Sequence, residues 1–156
     1  MGAQFFPTPP SVVKRMLTLA CADRDSVLFD LGCGDGGIVV AAARDHGVKK
    51  AVGIEKDKRL FSIARRRTAG LENAMILNAD YDEVDLSEAS IVTIYQSASE
   101  NARLKRKLLA ELSAGRTIVS HAFGFPGWRP REFQVFREGR HGYRIFVYQL
   151  GPDTPS

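Results

Sequence analysis

Apolar residues along the chain change period several times, and each change marks an element. Val12, Val13, Met16, Leu17 and Ala20 recur at helical spacing behind Ser11, whose hydroxyl suits an N-cap, and this predicts a helix to about Ala22. The ten residues ahead of it, MGAQFFPTPP, contain three prolines, which hold residues 1–10 extended. Val27-Leu28-Phe29 is a short apolar run that stops at Asp30 and a glycine loop, the pattern of a buried strand. The same reading predicts helices over 36–46, 59–69 and 104–112, with Gly47, Gly70 and Gly115 near their ends. Between them it predicts strands over 51–54, 74–78, 90–95 and 116–120, the fourth strand of the chain being rich in β-branched residues.

After residue 120 the alternation stops. Residues 132–137 and 143–150 are strand-like and separated only by EGRHG, too short for a crossover helix, so they form a hairpin. The expected fold is α/β: one doubly wound, Rossmann-like sheet with a C-terminal antiparallel hairpin, in a single domain over residues 1–156.

Composition changes this picture little. The chain has 156 residues, 44% hydrophobic and 26% charged, which argues against a disordered or fibrous protein. A net charge of +4 is milder than a dedicated nucleic-acid binder needs, and the runs Arg65-Arg66-Arg67 and Lys105-Arg106-Lys107 read first as solvated helix faces. Cys21 and Cys33 make neither a disulfide framework nor a zinc site, and no metal is expected. No apolar run is long enough to span a bilayer, no signal peptide is evident, and Phe6 breaks the myristoylation pattern that Met1-Gly2 begins. A cytoplasmic protein without membrane attachment is expected.

Gly32-Cys33-Gly34-Asp35-Gly36-Gly37 satisfies G-x-G-x-x-G, follows a strand, opens a helix, and has Glu55 about twenty residues on. Such a loop brings backbone N–H groups close to a ligand, and Glu55 is placed to accept hydrogen bonds from a ribose. The cofactor therefore carries adenosine. Asp30, beside the loop, would repel a pyrophosphate but attract an ammonium group. Asp80 and Tyr81, after the third strand, suit an adenine amino group and a stacked base, although Asp80-Tyr81-Asp82 is also a plausible turn.

The run VLFDLGCGDG resembles motif I of class I S-adenosylmethionine-dependent methyltransferases, and the element order resembles their seven-stranded sheet over almost the whole chain. The resemblance implies S-adenosyl-L-methionine as cofactor, its methionine end held by Asp30, Gly32 and Gly34, its ribose by Glu55 and its adenine by Asp80, with Tyr81 alongside. After the fourth strand stands Tyr95-Gln96-Ser97-Ala98, unlike the Asn/Asp-Pro-Pro-aromatic motif of amide and base-amine methylating members.

Phe5-Phe6-Pro7-Thr8-Pro9, residues 84–95, residues 104–112 and the stretch from Ser120 to Pro130 resemble a compact group of protein-lysine methyltransferases with archaeal and mitochondrial members. The same resemblance extends, in the cofactor site, to the non-SET histone-lysine methyltransferase. It implies that Phe5, Pro7 and Thr8 belong to a segment folded over the cofactor. The chain departs from the group at Phe5, commonly Tyr, at Ala122, commonly acidic in archaeal members, and at Gly37, commonly Arg or Lys.

The expected function is protein-lysine N-methylation of broad specificity on exposed lysines. RNA or small-molecule methylation, or cofactor binding without turnover, stand as alternatives. With an ordinary pKa near 10.4, about one lysine in a thousand is neutral near physiological pH, a deficit of roughly 4 kcal/mol that an apolar channel beside a cation reduces. Tyr95 is the first candidate to line that channel, with Phe123, Phe125 and Trp128 as further walls; Trp128 reads equally as a core anchor. His121 is a candidate proton acceptor or a structural, hydrogen-bonded residue.

Overall fold

A computed structural model describes residues 5–156; the first four residues of the expected extended segment, Met1 and Gly2 included, lie outside the described residues. The elements are α1 (Pro10–Leu19), β1 (Val27–Leu31), α2 (Gly37–Arg44), β2 (Lys50–Ile54), α3 (Lys58–Arg67), β3 (Ala74–Leu77), β4 (Ile91–Ile94), α4 (Ala98–Glu111), β5 (Thr117–His121), β6 (Glu132–Glu138) and β7 (His141–Gln149). A single 3-10 turn at Tyr81–Glu83 follows β3.

The strands form one seven-stranded sheet in the order β3-β2-β1-β4-β5-β7-β6. The first five are parallel; β7 runs antiparallel to both β5 and β6, so a single reversed strand lies next to the edge. Alternation of side chains across the pleat divides the core in two. Leu28, Ile91, Val119, Ile145 and Val147 face α1 and α2, meeting Val12, Met16, Leu17, Val39 and Ala42. Phe29, Leu31, Val92, Ile94 and Ile118 face α4, meeting Leu104 and Leu108. The chain builds outward from β1 to β3 and then returns to place β4 on the other side of β1. The crevice beyond the C-terminal ends of β1 and β4 is the place where such sheets bind ligands.

Two boundaries differ from the sequence reading for identifiable reasons. α1 begins at Pro10, with Pro9 as its cap, because proline tolerates the first helical turn. Ser11 is therefore inside the helix, and its hydroxyl donates to the Glu138 carboxylate at 2.5 Å. α4 begins at Ala98, six residues early, because the Ser97 hydroxyl accepts from the Glu100 N–H at 3.1 Å and caps the helix. The arginines of the run at 65–67 are exposed on α3, Arg67 pairing with Asp35 at 2.9 Å. No helix of the described residues is long and apolar enough to cross a membrane.

Candidate active site

A cleft of about 1100 Å³ opens at the crevice between β1 and β4. Phe5, Pro7, Thr8, Asp30, Gly32, Glu55, Asp80, Tyr81 and Tyr95, all singled out in the sequence, line it. Gly34 lies against it beneath Phe5.

Asp30 is the penultimate residue of β1 and stands in register with Thr93 of β4, on the same face of the sheet. The Thr93 hydroxyl donates to Asp30 Oδ1 at 2.8 Å. The carboxyl is 4% exposed, and no ion pair among the described residues engages it. Burial pushes its pKa up to about 7, the Thr93 hydrogen bond opposes the rise, and Glu55 and Asp35 add to it. A buried carboxyl in this state gains most from a cationic ligand.

Glu55 follows β2 and ties the glycine loop down. Its Oε1 accepts from the Gly34 N–H at 2.9 Å and its Oε2 from the Asp57 N–H at 2.9 Å. Each oxygen retains an acceptor direction for a hydroxyl donor. Gly34 has φ 57 and the Phe5 ring packed directly over it, so a side chain would collide with that ring. At Gly32, φ 74, an added Cβ would come within 2.7 Å of Gln96 Nε2. The backbone is thus open to close approach only because both positions are glycine.

Asp80 serves the turn and the cleft together: its Oδ1 accepts from the Asp82 N–H at 2.9 Å, capping the 3-10 turn, while the side chain borders the cleft. Tyr81 donates its hydroxyl to Glu100 Oε1 at 2.6 Å. Arg103 holds the same carboxylate at 2.5 Å and Asp82 at 3.0 Å. This bracket fixes the Tyr81 ring as a wall, with burial first and Glu100 second pushing the phenol pKa up.

Tyr95 follows β4 and Phe123 follows β5, and both line the cleft. Phe123 is aimed by a three-residue turn: its N–H donates to the His121 carbonyl at 2.9 Å across Ala122, which has φ 73. Asn101 of α4 holds the same loop, donating from Nδ2 to the Phe123 and Gly124 carbonyls at 3.1 Å each.

Two expected channel residues are placed elsewhere. Trp128 is 6% exposed and does not border the cleft; its ring stacks on Phe125 at 4.8 Å and meets Tyr148 at 5.9 Å, inside the α4-side core. Phe125 is buried in the same cluster. The reason is the turn at Ala122, which sends Phe123 to the cleft and the rest of the segment back over the sheet. His121 is buried behind Tyr95, ring centroids 4.1 Å apart, and does not line the cleft either. Its Nδ1 lies 3.2 Å from Thr8 Oγ1, and burial pushes its pKa down to about 4. It packs under Tyr95 and meets the N-terminal segment through Thr8, which lines the cleft.

Thr93, Gln96 and Asn101 were not singled out from sequence. Thr93 and Gln96 had a positional signal, lying near and just beyond the end of the strand that meets the crevice. Asn101 had none, since its partners are carbonyls more than twenty residues away. Among the described residues no group of three His, Cys, Asp or Glu side chains is arranged to hold a metal.

The chain is similar to several known proteins. Residues 30–132 match a family described as the ANTKMT methyltransferase domain. A protein-lysine N-methyltransferase of Saccharolobus islandicus (strain REY15A) is 41% identical over 152 residues, covering 94% of this chain and 93% of that protein. The adenine nucleotide translocase lysine N-methyltransferase of Mus musculus is 32% identical over 92% of this chain, which spans 62% of the mouse protein. A crystal structure described as an RNA methyltransferase from Salinibacter ruber in complex with S-adenosyl-L-homocysteine superposes with TM-score 0.89, at 40% identity and covering 97% of each chain.

Proposed function

Because the chain belongs to the ANTKMT methyltransferase family and is an S-adenosylmethionine-dependent enzyme, we propose that it methylates the side-chain amine of lysines exposed on proteins. The observation that supports the lysine acceptor most is the 41% identity to a protein-lysine N-methyltransferase along nearly the full length of both chains. The Salinibacter relative, described as acting on RNA, favours RNA as the second reading.

The residues fit the cofactor on the structure's own terms. Asp30 is a buried carboxyl without a cationic partner among the described residues, and the loop at Gly32 and Gly34 admits only backbone. In the proposed assignment Asp30 takes the ammonium group, Glu55 the ribose hydroxyls, and Asp80 and Tyr81 the adenine. Phe5, Pro7 and Thr8 cover the methionine end. When bound, S-adenosylmethionine supplies an electrophilic methyl group on a cationic sulfur.

The chain's own contribution is positioning, water exclusion and adjustment of the acceptor amine. Tyr95 and Phe123 present aromatic surface that attracts an ammonium and strips its water. Burial beside a cation then favours the neutral amine, the form that reacts. His121, neutral because burial holds its pKa near 4, keeps the Tyr95 ring in place without adding a charge. No side chain is required to hold the departing proton, which can pass to solvent before the amine is enclosed. Broad specificity belongs to the same proposal, as does a reducing, cytoplasmic setting, supported by two cysteines that stay unpaired, Cys21 exposed and Cys33 buried.

The test uses purified chain, methyl-labelled S-adenosylmethionine and one mixed protein extract, untreated or with its lysine amines acetylated beforehand. Label is expected in the untreated proteins and absent from the acetylated ones. Equal labelling of both would overturn the lysine assignment.

A further inference from the structure

The β6–β7 hairpin and the residues just before it carry most of the chain's excess positive charge. Residues 128–144, WRPREFQVFREGRHGYR, contain five arginines and two glutamates, a net +3 within a chain of net +4. Arg129 and Arg131 precede β6, and register shows where the other three arginines lie. β5 ends at His121, opposite Ile145, so His141–Arg144 and their β6 partners run past the C-terminal edge of the parallel strands, the edge on which the cleft opens. Arg137, Arg140 and Arg144 are exposed there, and among the described residues none is in an ion pair. The two glutamates are engaged, Glu138 by the Ser11 hydroxyl and Glu132 by the Gln134 amide.

The basic tip reaches the cleft lining. The Arg144 guanidinium lies 5.9 Å from the centroid of Phe123, which lines the cleft. Arg144 pairs in register with Val135, and Phe146 with Phe133, on one face of the hairpin. Phe133 and Val135 are 49% and 45% exposed, so this face offers apolar contact flanked by arginines. The opposite face is occupied, Phe136 lying under Arg15 of α1 at 5.0 Å.

We propose that the overhanging β6–β7 hairpin is the docking surface for the acceptor protein, and that it takes an acidic segment flanking the target lysine. This rests on the lysine reading above. Complementary charge at the rim acts mainly on encounter and salt dependence, and so on KM, while an apolar patch within it gives contact area. A basic rim would equally repel a lysine set among cations, which gives the surface a direction of discrimination. An RNA backbone would also answer to positive charge, but Phe133 and Val135 present a mixed aromatic and aliphatic face better matched to protein side chains than to a run of stacked bases.

The experiment uses one small folded carrier protein with a single exposed lysine in a tail, flanked by four acidic, four serine or four arginine residues. The acidic carrier is expected to have the lowest KM, with the difference shrinking as salt rises. In the double variant Arg137→Glu/Arg140→Glu, KM for the acidic carrier is expected to rise about tenfold, with kcat and S-adenosylhomocysteine affinity unchanged. Arg137→Lys/Arg140→Lys is expected to restore the wild-type order. Flank-independent KM values, or equal effects of the charge reversal on all three carriers, would overturn the docking proposal and leave lysine methylation standing. Failure to label any carrier, with label entering added RNA and lost in the double variant, would overturn the lysine reading and assign the hairpin to RNA.

Discussion

Asp30 is where sequence, structure and ligand chemistry meet most closely. Its carboxyl is buried, and its pKa is raised to about 7 by that burial. The ionised form suited to an ammonium ligand is therefore lost below pH 7, while the ligand's amino group, beside a free carboxylate, keeps its charge to higher pH. S-adenosylhomocysteine affinity, measured by calorimetry, is expected to level off above pH 7 and to fall about tenfold by pH 6. Asp30→Asn is expected to bind weakly and to lose the acid limb. Ala122 makes a second test at this scale, since φ 73 is unfavourable for any residue with a Cβ and worse for a β-branched one. Ala122→Gly is expected to fold at least as stably as the parent, and Ala122→Val to lose about 1–3 kcal/mol with a raised acceptor KM. Thermal unfolding and steady-state kinetics check both. Sequence exposed Asp30, Glu55 and Asp80 because each sits at a strand end. It left Trp128 open because an aromatic after a strand has two destinations, and the turn that chooses between them depends on backbone conformation at Ala122.

The elements were legible wherever the hydrophobic period was long enough to count, and their ends were less so. All seven strands were found, β1 to β5 as short apolar runs between helical patterns, and β6 and β7 as strand-like runs too close together for a crossover helix. The start of α4 was missed because its first turn is polar, although Ser97-Ala98-Ser99-Glu100 carries the S-x-x-E signature. The N-terminal segment was legible as extended but not in what it touches. Phe5 packs on Gly34 and Thr8 reaches His121, so this segment joins the cofactor loop to the support under Tyr95. Phe5→Ala is expected to weaken S-adenosylhomocysteine binding several-fold while leaving the melting temperature nearly unchanged, because Phe5 is exposed. Trp128→Ala is expected to do the reverse, costing about 3–5 kcal/mol of stability with little effect on cofactor affinity. Paired melting and calorimetry separate the two, and a loss of cofactor affinity in Trp128→Ala matching that of Phe5→Ala would contradict the placement.

Across the whole molecule two buried groups oppose each other. The contribution of Asp30 to stability is intact below about pH 4 and lost as pH rises through 7, because its folded pKa is raised. That of His121 is intact above about 6.5 and lost as pH falls toward 4, because its folded pKa is depressed. Occupation of the cleft by a ligand's ammonium group relieves the first and not the second, so thermal stabilisation by S-adenosylhomocysteine is expected to be greater at pH 7.5 than at pH 5.5. The cofactor end of the cleft was read from the glycine loop, Asp30 and Glu55 together with the resemblance to motif I. The acceptor was not, since Tyr95, Phe123 and the hairpin suit an amine without naming its carrier, and relatives of equal similarity are described as acting on protein lysine and on RNA. The most direct measurement is one reaction containing the chain, labelled S-adenosylmethionine, unmethylated protein and total RNA, followed by hydrolysis and identification of the labelled residue. The account expects label in methyl-lysine, resistant to ribonuclease; label confined to ribonuclease-sensitive nucleosides would contradict it.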